Sequence, residues 1–400
     1  MKTLHLSVAQ HDGYDDLAGL YRQLVGPTFA QQNAELYIDV ISWDELWRFV
    51  HSRVMAQTGI DVSEVGSTWL GSLADTDALT PLPRQYLLEM GGHELFTDAA
   101  WNSIELISGN RVLFLPFTLD VRLIYYWRDA LAAAGIDEKT AFSSAAATHD
   151  TLAKLTRAGE PSWGVPTCYG INTLYHISSW IWGGGKDYLS DDGTRTAFCE
   201  PEVLNAIMAF YRLSEFMSRP YENHADVRRA FLDRQICVTM SGPWFWNEIY
   251  QNHLRDMDSS RIGVALPPGP PFLGGSMLVL WRHADGTLTE TALSLLQLLV
   301  SKKIQRKLTE VRGLLPVHRG LLGGAPYSTD TNFRTMVHAL SAGRYLPTTP
   351  IWAHLESSLV RAFGLIWSSL KTNGFKLDRT LLERHLEPLA KRFDRMLEIF

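Results

Sequence analysis

The chain is poor in cysteine. Cys168, Cys199 and Cys237 are its three, far apart and without C-x-x-C spacing, so neither a disulfide framework nor a cysteine zinc site is indicated. At most one disulfide could form, and buried structural thiols are the expected state of all three. No stretch approaches the ~20 apolar residues needed to span a bilayer. No run of like charge forms a tail. Lys and Arg, 37 together, are outnumbered by 43 Asp and Glu, for a formal net charge of −6. That balance argues against a nucleic-acid surface, which relies on clustered cations. Enzyme signatures are missing too. There is no His-Glu-x-x-His and no Gly-x-Ser-x-Gly, and Gly183-Gly184-Gly185-Lys186 lacks the spacing of a phosphate-binding loop. The 13 His are scattered, with no pair at metal-ligand spacing. No metal, no cofactor and no catalysis are therefore expected, although the paired carboxylates of glycoside hydrolysis leave no trace in sequence spacing.

What is present is a globular composition, 46% hydrophobic and 20% charged over 400 residues, enough for two ordinary domains. Residues 1–116 alternate strands and helices. Strands are expected at 3–9, 36–42, 62–66 and 111–116, with helices at 15–32 and 44–57. Trp47, Val50, Val54 and Met55 fall on one face of the second helix. Such alternation predicts a parallel sheet covered on both faces, with ligands bound beyond the carboxyl ends of its strands. His11, Asp12 and Gly13 follow the first strand, Trp43 the second, and Ser67, Thr68 and Trp69 the third, so the three groups should converge on one crevice. A second region offers strands at 122–127, 164–166, 236–240 and 262–266 and helices at 150–158, 202–217, 225–233 and 244–254. A strand at 275–281, a helical run at 289–311 and a helical coda with a last helix at 377–400 complete the reading. The first lobe is expected to hold 1–116 and 275–320, the second 117–272 and 321–400, with crossing segments at 117–118 and 272–275.

One segment carries more than the rest. Ile236-Cys237-Val238-Thr239-Met240 runs into Ser241-Gly242-Pro243-Trp244, where Gly242 permits a tight exit and Pro243 suits a first helical turn. Trp244 and Trp246 are thereby presented at the mouth of an element. Further on come Pro267-Pro268-Gly269-Pro270 and the pair Gly274 and Gly275, where backbone can approach another backbone or a bound molecule closely. Of the 13 Trp, eight adjoin glycine, proline or strand ends (Trp43, Trp69, Trp163, Trp180, Trp182, Trp244, Trp246 and Trp281), whereas Trp47, Trp101, Trp127 and Trp367 lie within packing patterns.

This segment resembles the matching part of the extracellular solute-binding proteins of ABC importers, in their maltose-binding-like, sugar-carrying branch. Four other stretches are similar to that family in the same order. They are Gly59 to Leu70 with Leu79-Thr80-Pro81-Leu82, and Leu115-Pro116-Phe117-Thr118-Leu119-Asp120 with Leu123 to Asp129. Then come Trp182-Gly183-Gly184-Gly185 with Asp191-Asp192-Gly193, and Arg312-Gly313-Leu314-Leu315-Pro316-Val317. The resemblance implies a two-lobed α/β fold of the periplasmic-binding type (type II), with a ligand cleft between lobes joined by hinge segments. It implies Trp244 as a sugar-stacking platform, followed by Trp182, Trp43 and Trp69. His11, Asp12, Asp120 and Arg312 are the expected polar partners, with Glu64, Asn172 and Tyr169 behind them, and Gly274 and Gly275 lie close to the ligand. The implied function is capture of a carbohydrate and its delivery to permease subunits, by a monomer that contacts no nucleic acid. The alternatives are a sensor of the same fold coupled to a signalling partner, and a glycosidase. Lys2 is followed at once by a strand, too short and polar for the core of a signal peptide. The expectation is a mature extracytoplasmic chain whose leader has been removed, or a cytoplasmic protein if Met1 is its native start; the first is preferred.

Overall fold

The computed structural model describes residues 2–10, 16–31, 33–56, 60–108, 111–160, 162–252, 259–282 and 289–398. Its strands are β1 (Lys2–Ala9), β2 (Ala34–Ile41), β3 (Val62–Gly66), β4 (Leu115–Val121), β5 (Leu123–Trp127), β6 (Trp163–Gly164), β7 (Val238–Ser241), β8 (Ile262–Ala265), β9 (Leu273–Leu280) and β10 (Leu315–Pro316). They form a six-stranded sheet in the order β10-β4-β9-β3-β1-β2 and a four-stranded sheet in the order β6-β7-β5-β8. The described chain divides into two compact units. Unit 1 is Met1–Asp120, Gly274–Val337 and Thr348–Ala353; unit 2 is Val121–Leu273, His338–Pro347 and His354–Phe400. The division differs from the expected one chiefly in giving residues 321–337 and 348–353 to unit 1.

Unit 1 is built on the larger sheet. β1 pairs in parallel with β2 over its full length, from Lys2 opposite Ala34 to Ala9 opposite Ile41, and with β3 through Leu6 opposite Val62. The expected all-parallel sheet is corrected on the other side of β3. There β9 runs antiparallel, pairing Val62 with Leu280, and β4 pairs antiparallel with β10. A strand that re-enters the unit from a distant part of the chain is not bound by the helical crossover that makes neighbouring strands parallel. The core on one face gathers Leu46, Val50, Val65, Trp69, Leu73, Phe114, Val279 and Trp281, all buried. The helix Trp43–Ala56 buries Leu46 and Val50 because those positions recur at helical spacing. The expected single helical run at 289–311 is two helices, Thr289–Leu299 and Lys302–Arg312, broken at Val300 and Ser301. The strand expected at 111–116 begins later, at Leu115, where partners on both sides are available; before it, Val112 makes only an isolated bridge to Leu82.

In unit 2, β5 is central, antiparallel to β7 and to β8, while β6 pairs with β7 in parallel. The helix Asn172–Gly183, not among the expected helices, buries Leu174, Ile177, Trp180 and Ile181. The last helix, Arg379–Leu397, is capped by Asp378, continues through Pro388, and buries Leu381, Leu382, Leu386, Ala390 and Phe393. Asp191-Asp192-Gly193 forms a hairpin turn. Leu189 bridges Thr196, and the Asp192 carboxylate accepts from Ser190 Oγ, the Thr194 amide and Thr194 Oγ1. No helix among the described residues is long and apolar enough to cross a membrane.

Candidate functional site

The parallel register of β1, β2 and β3 brings Ala9, Ile41 and Gly66 to the same edge of the unit 1 sheet, so whatever follows them is held there. After β2, Ser42 leads directly into the helix that Trp43 opens. After β3, Ser67–Trp69 makes one tight turn that folds the Trp69 ring back over Gly66, where a side-chain Cβ would lie 3.2 Å from the indole. The two rings meet edge to face, with centroids 6.2 Å apart, and Trp47 supports Trp69 from 5.2 Å. Trp69 is buried, while Trp43 is 36% exposed. The outcome is one presented indole backed by two more. His11 and Asp12, expected beside them, lie outside the described residues.

Arg312 and Glu64 belong to a different arrangement. Both are buried, and they form an ion pair inside unit 1. Glu64 also accepts from the Ala9 amide at 3.0 Å and from Ser276 Oγ, while Arg312 donates to Tyr21 Oη at 3.3 Å and lies over the Phe117 ring. Arg312, expected as a ligand partner, is thus an interior cation held by interior groups, because the end of its helix points into the unit. Burial also pushes the Tyr21 phenol well above its ordinary range. Gly275 likewise has a structural task. Its φ is +130°, and a Cβ there would fall 2.0 Å from the Thr118 carbonyl oxygen, so its close approach is to the β4 backbone. Gly274 is buried beside it, and Asp120 is buried near the end of β4.

In unit 2 the antiparallel register places Leu123 opposite Ser241, which sets Arg122 beside the turn that leads to Trp244. Trp244 is the second residue of the helix Pro243–Asn252 and is partly exposed. Its ring lies over Gly242, where an added Cβ would sit 1.9 Å from it, so only glycine admits this conformation. Arg122 is buried, and its guanidinium carbon stands 4.5 Å from the Trp244 ring centroid, 5.1 Å from that of Tyr175 and 5.8 Å from that of Phe272. Tyr175 and Phe272 stack on each other at 3.8 Å. Arg122 Nη2 donates to Asn172 Oδ1 at 3.2 Å, and its amide donates to the Phe272 carbonyl. His224, at the start of a helix capped by Asn223, meets the edge of Trp244 at 5.8 Å. Burial first, and then the charge of Arg122, push the His224 imidazole down to about 3 and hold that of His176 well below its ordinary value.

The other tryptophan candidates are not presented. Trp163, Trp180, Trp246 and Trp281 are core residues. Trp182 is buried in the last turn of its helix, donates to Asp187 Oδ1 and carries Arg344 over its ring. Tyr169 is 55% exposed, its ring lying against Gly364. The structure brings Trp43 to Trp69, and Trp244 to Asn172 through Arg122. Sequence reading missed Arg122, Tyr175, Phe272 and the two imidazoles. Arg122 did leave a signal: it is a lone cation in the apolar run from Val121 to Trp127, and buried arginine is rare unless something holds it.

Residues 28–335 match the family model described as bacterial extracellular solute-binding protein. A binding protein of Brucella abortus (strain 2308) is 23% identical over 375 residues, covering 88% of this chain and 86% of that one. Among solved structures, an ABC transporter solute-binding protein from Thermotoga lettingae TMO, bound with α-D-tagatose, superimposes with a TM-score of 0.79 at 18% identity. That match covers 99% of this chain and all of the other. Maltose-bound MalE3 of T. maritima gives a TM-score of 0.79 at 19% identity, over 97% and 99% of the two chains. These likenesses establish the fold. The family match spans most of the sequence, and the chain belongs to the bacterial extracellular solute-binding proteins.

Proposed function

We propose that this bacterial extracellular solute-binding protein is the capture component of an ABC importer and that its ligand is a carbohydrate, a mono- or oligosaccharide. The observation that carries the reading is the placement of partly exposed indoles at strand ends, Trp43 backed by Trp69 and Trp244 beside Arg122. Sugar rings offer flat C–H faces that pack on aromatic planes, and their hydroxyls pair with amide and charged groups. Asn172, which accepts from Arg122, and Asp120, buried near the end of β4, are the polar candidates. The tagatose and maltose held by the two structural neighbours are in keeping with this ligand class. The chain works outside the cytoplasm, passes its ligand to permease subunits and changes no covalent bond in it.

A thermal-shift panel that includes maltose and tagatose tests the ligand class. A true ligand at a hundredfold excess over Kd stabilises by roughly 2.7 kcal/mol, and chromatography should return it unchanged. The site is tested by Trp244→Ala. A platform residue should lose about 1–3 kcal/mol of affinity, the range known for stacking on aromatic side chains, while stability barely moves. A variant that melts far lower, by the ~3–5 kcal/mol of a truncated core aromatic, yet binds normally when folded would remove Trp244 from the site.

A further inference from the structure

The Trp244 ring packs directly on Gly242, where no side chain lies between ring and backbone. What surrounds it is the edge of His224 and the flat guanidinium of Arg122. The same guanidinium lies within 6 Å of the ring centroids of Tyr175 and Phe272. A planar cation can stack on aromatic faces while its in-plane N–H groups still donate, here to Asn172 Oδ1. A lysine ammonium is a compact point charge and cannot do both. His176 and His224 are held neutral, so the charge within this group of side chains resides on Arg122.

We propose that Arg122 is the positioning residue of the unit 2 aromatic face: its guanidinium plane sets the orientation in which Trp244 and Tyr175 meet a ligand. This rests on the reading of Trp244 as a ligand-facing ring. It assigns a binding role to a buried side chain that is separated from the ligand by the rings it holds.

The test uses the full chain labelled with fluorotryptophan, with the Trp244 fluorine resonance assigned from Trp244→Phe, and titrations with maltose and tagatose. In Arg122→Lys, which keeps the charge and loses the plane, the Trp244 resonance should shift and broaden, and affinity should fall about thirtyfold, the size of one desolvated cation–π contact. The double variant Arg122→Lys/Trp244→Ala should lose less affinity than the two single losses summed, since both act on one coupled arrangement. Asn172→Ala, which removes the bond to Nη2 from a partly exposed position, should perturb the same resonance to a smaller extent and serves if Arg122→Lys folds poorly. An unchanged Trp244 resonance in both variants, or additive losses in the double variant, overturns the proposal. Normal binding by Trp244→Ala would instead overturn the site reading on which it rests, while weak binding by Trp244→Ala with full affinity in Arg122→Lys would overturn this inference alone.

Discussion

Glu64 and Arg312 are 248 positions apart in sequence and form a buried ion pair inside unit 1. The sequence shows an acid in a strand and a cation just before a Gly-Leu-Leu-Pro turn, but not that the two meet, because pairing at that separation is decided by the whole sheet. A cation beside a turn therefore reads as a ligand partner, while the buried pairing of Arg312 with Glu64 stays hidden. Burial makes the pair sensitive to losing one member. Arg312→Met leaves the Glu64 carboxylate desolvated without its cation and should cost about 3–5 kcal/mol. Glu64→Leu/Arg312→Met should recover much of that loss, since replacing both partners removes the stranded charge. Urea unfolding of the three proteins, with ligand affinity measured on each folded form, checks this. A single variant that kept its stability and lost only binding would return Arg312 to the ligand site.

At the level of elements, strands and helices with a clear period were legible, and those defined by long-range pairing were not. β3 lies at its expected span, Val62–Gly66. The helix Asn172–Gly183 was hidden because polar residues such as His176, Ser178 and Ser179 are buried along with its apolar ones, which blurs the helical period, and because it runs into glycines. β9 was found as a strand, but its antiparallel place between β3 and β4 depends on partners far away in the chain. Its glycine pair explains how it fits. Gly275 at φ +130° lies in a region that side-chain-bearing residues rarely adopt, and a Cβ there would run into the Thr118 carbonyl. Gly275→Ala therefore has no accommodating conformation. It should destabilise by about 1–3 kcal/mol from backbone strain alone, and by more if β4 must move. Chemical denaturation tests this, and an alanine variant as stable as the parent would show that the β4–β9 approach is looser than described.

For the whole molecule, the shifted histidines and aspartates make stability depend on pH in one direction. His176, His224, His318 and His385 are all held below the ordinary 6.5, each by burial first and then by a neighbouring cation or imidazole. His176 and His224 stay neutral in the folded chain while the unfolded chain takes up protons as the pH falls below about 6.5. Protonation thus favours unfolding, and stability drains away on acidification through that window, by at most about 1.4 kcal/mol per pH unit for each of the two buried imidazoles, His176 and His224. Asp226, whose partner Arg219 holds its carboxyl below the ordinary 3.8, and Asp192, held at about 2 by its hairpin hydrogen bonds, add the same sign at lower pH. Their contribution is present above about 3.8 and is lost as they protonate. Two of the four histidines adjoin Arg122 in unit 2, so the effect can be dissected there. The melting temperature should fall steadily from pH 7 to pH 4, and His176→Gln/His224→Gln should flatten the slope between about 6.5 and 4 whatever it does to stability at neutral pH. Equal slopes in variant and parent would mean that these two imidazoles take up protons in the folded state as readily as in the unfolded one, and that the environment around Arg122 is wetter than its burial indicates.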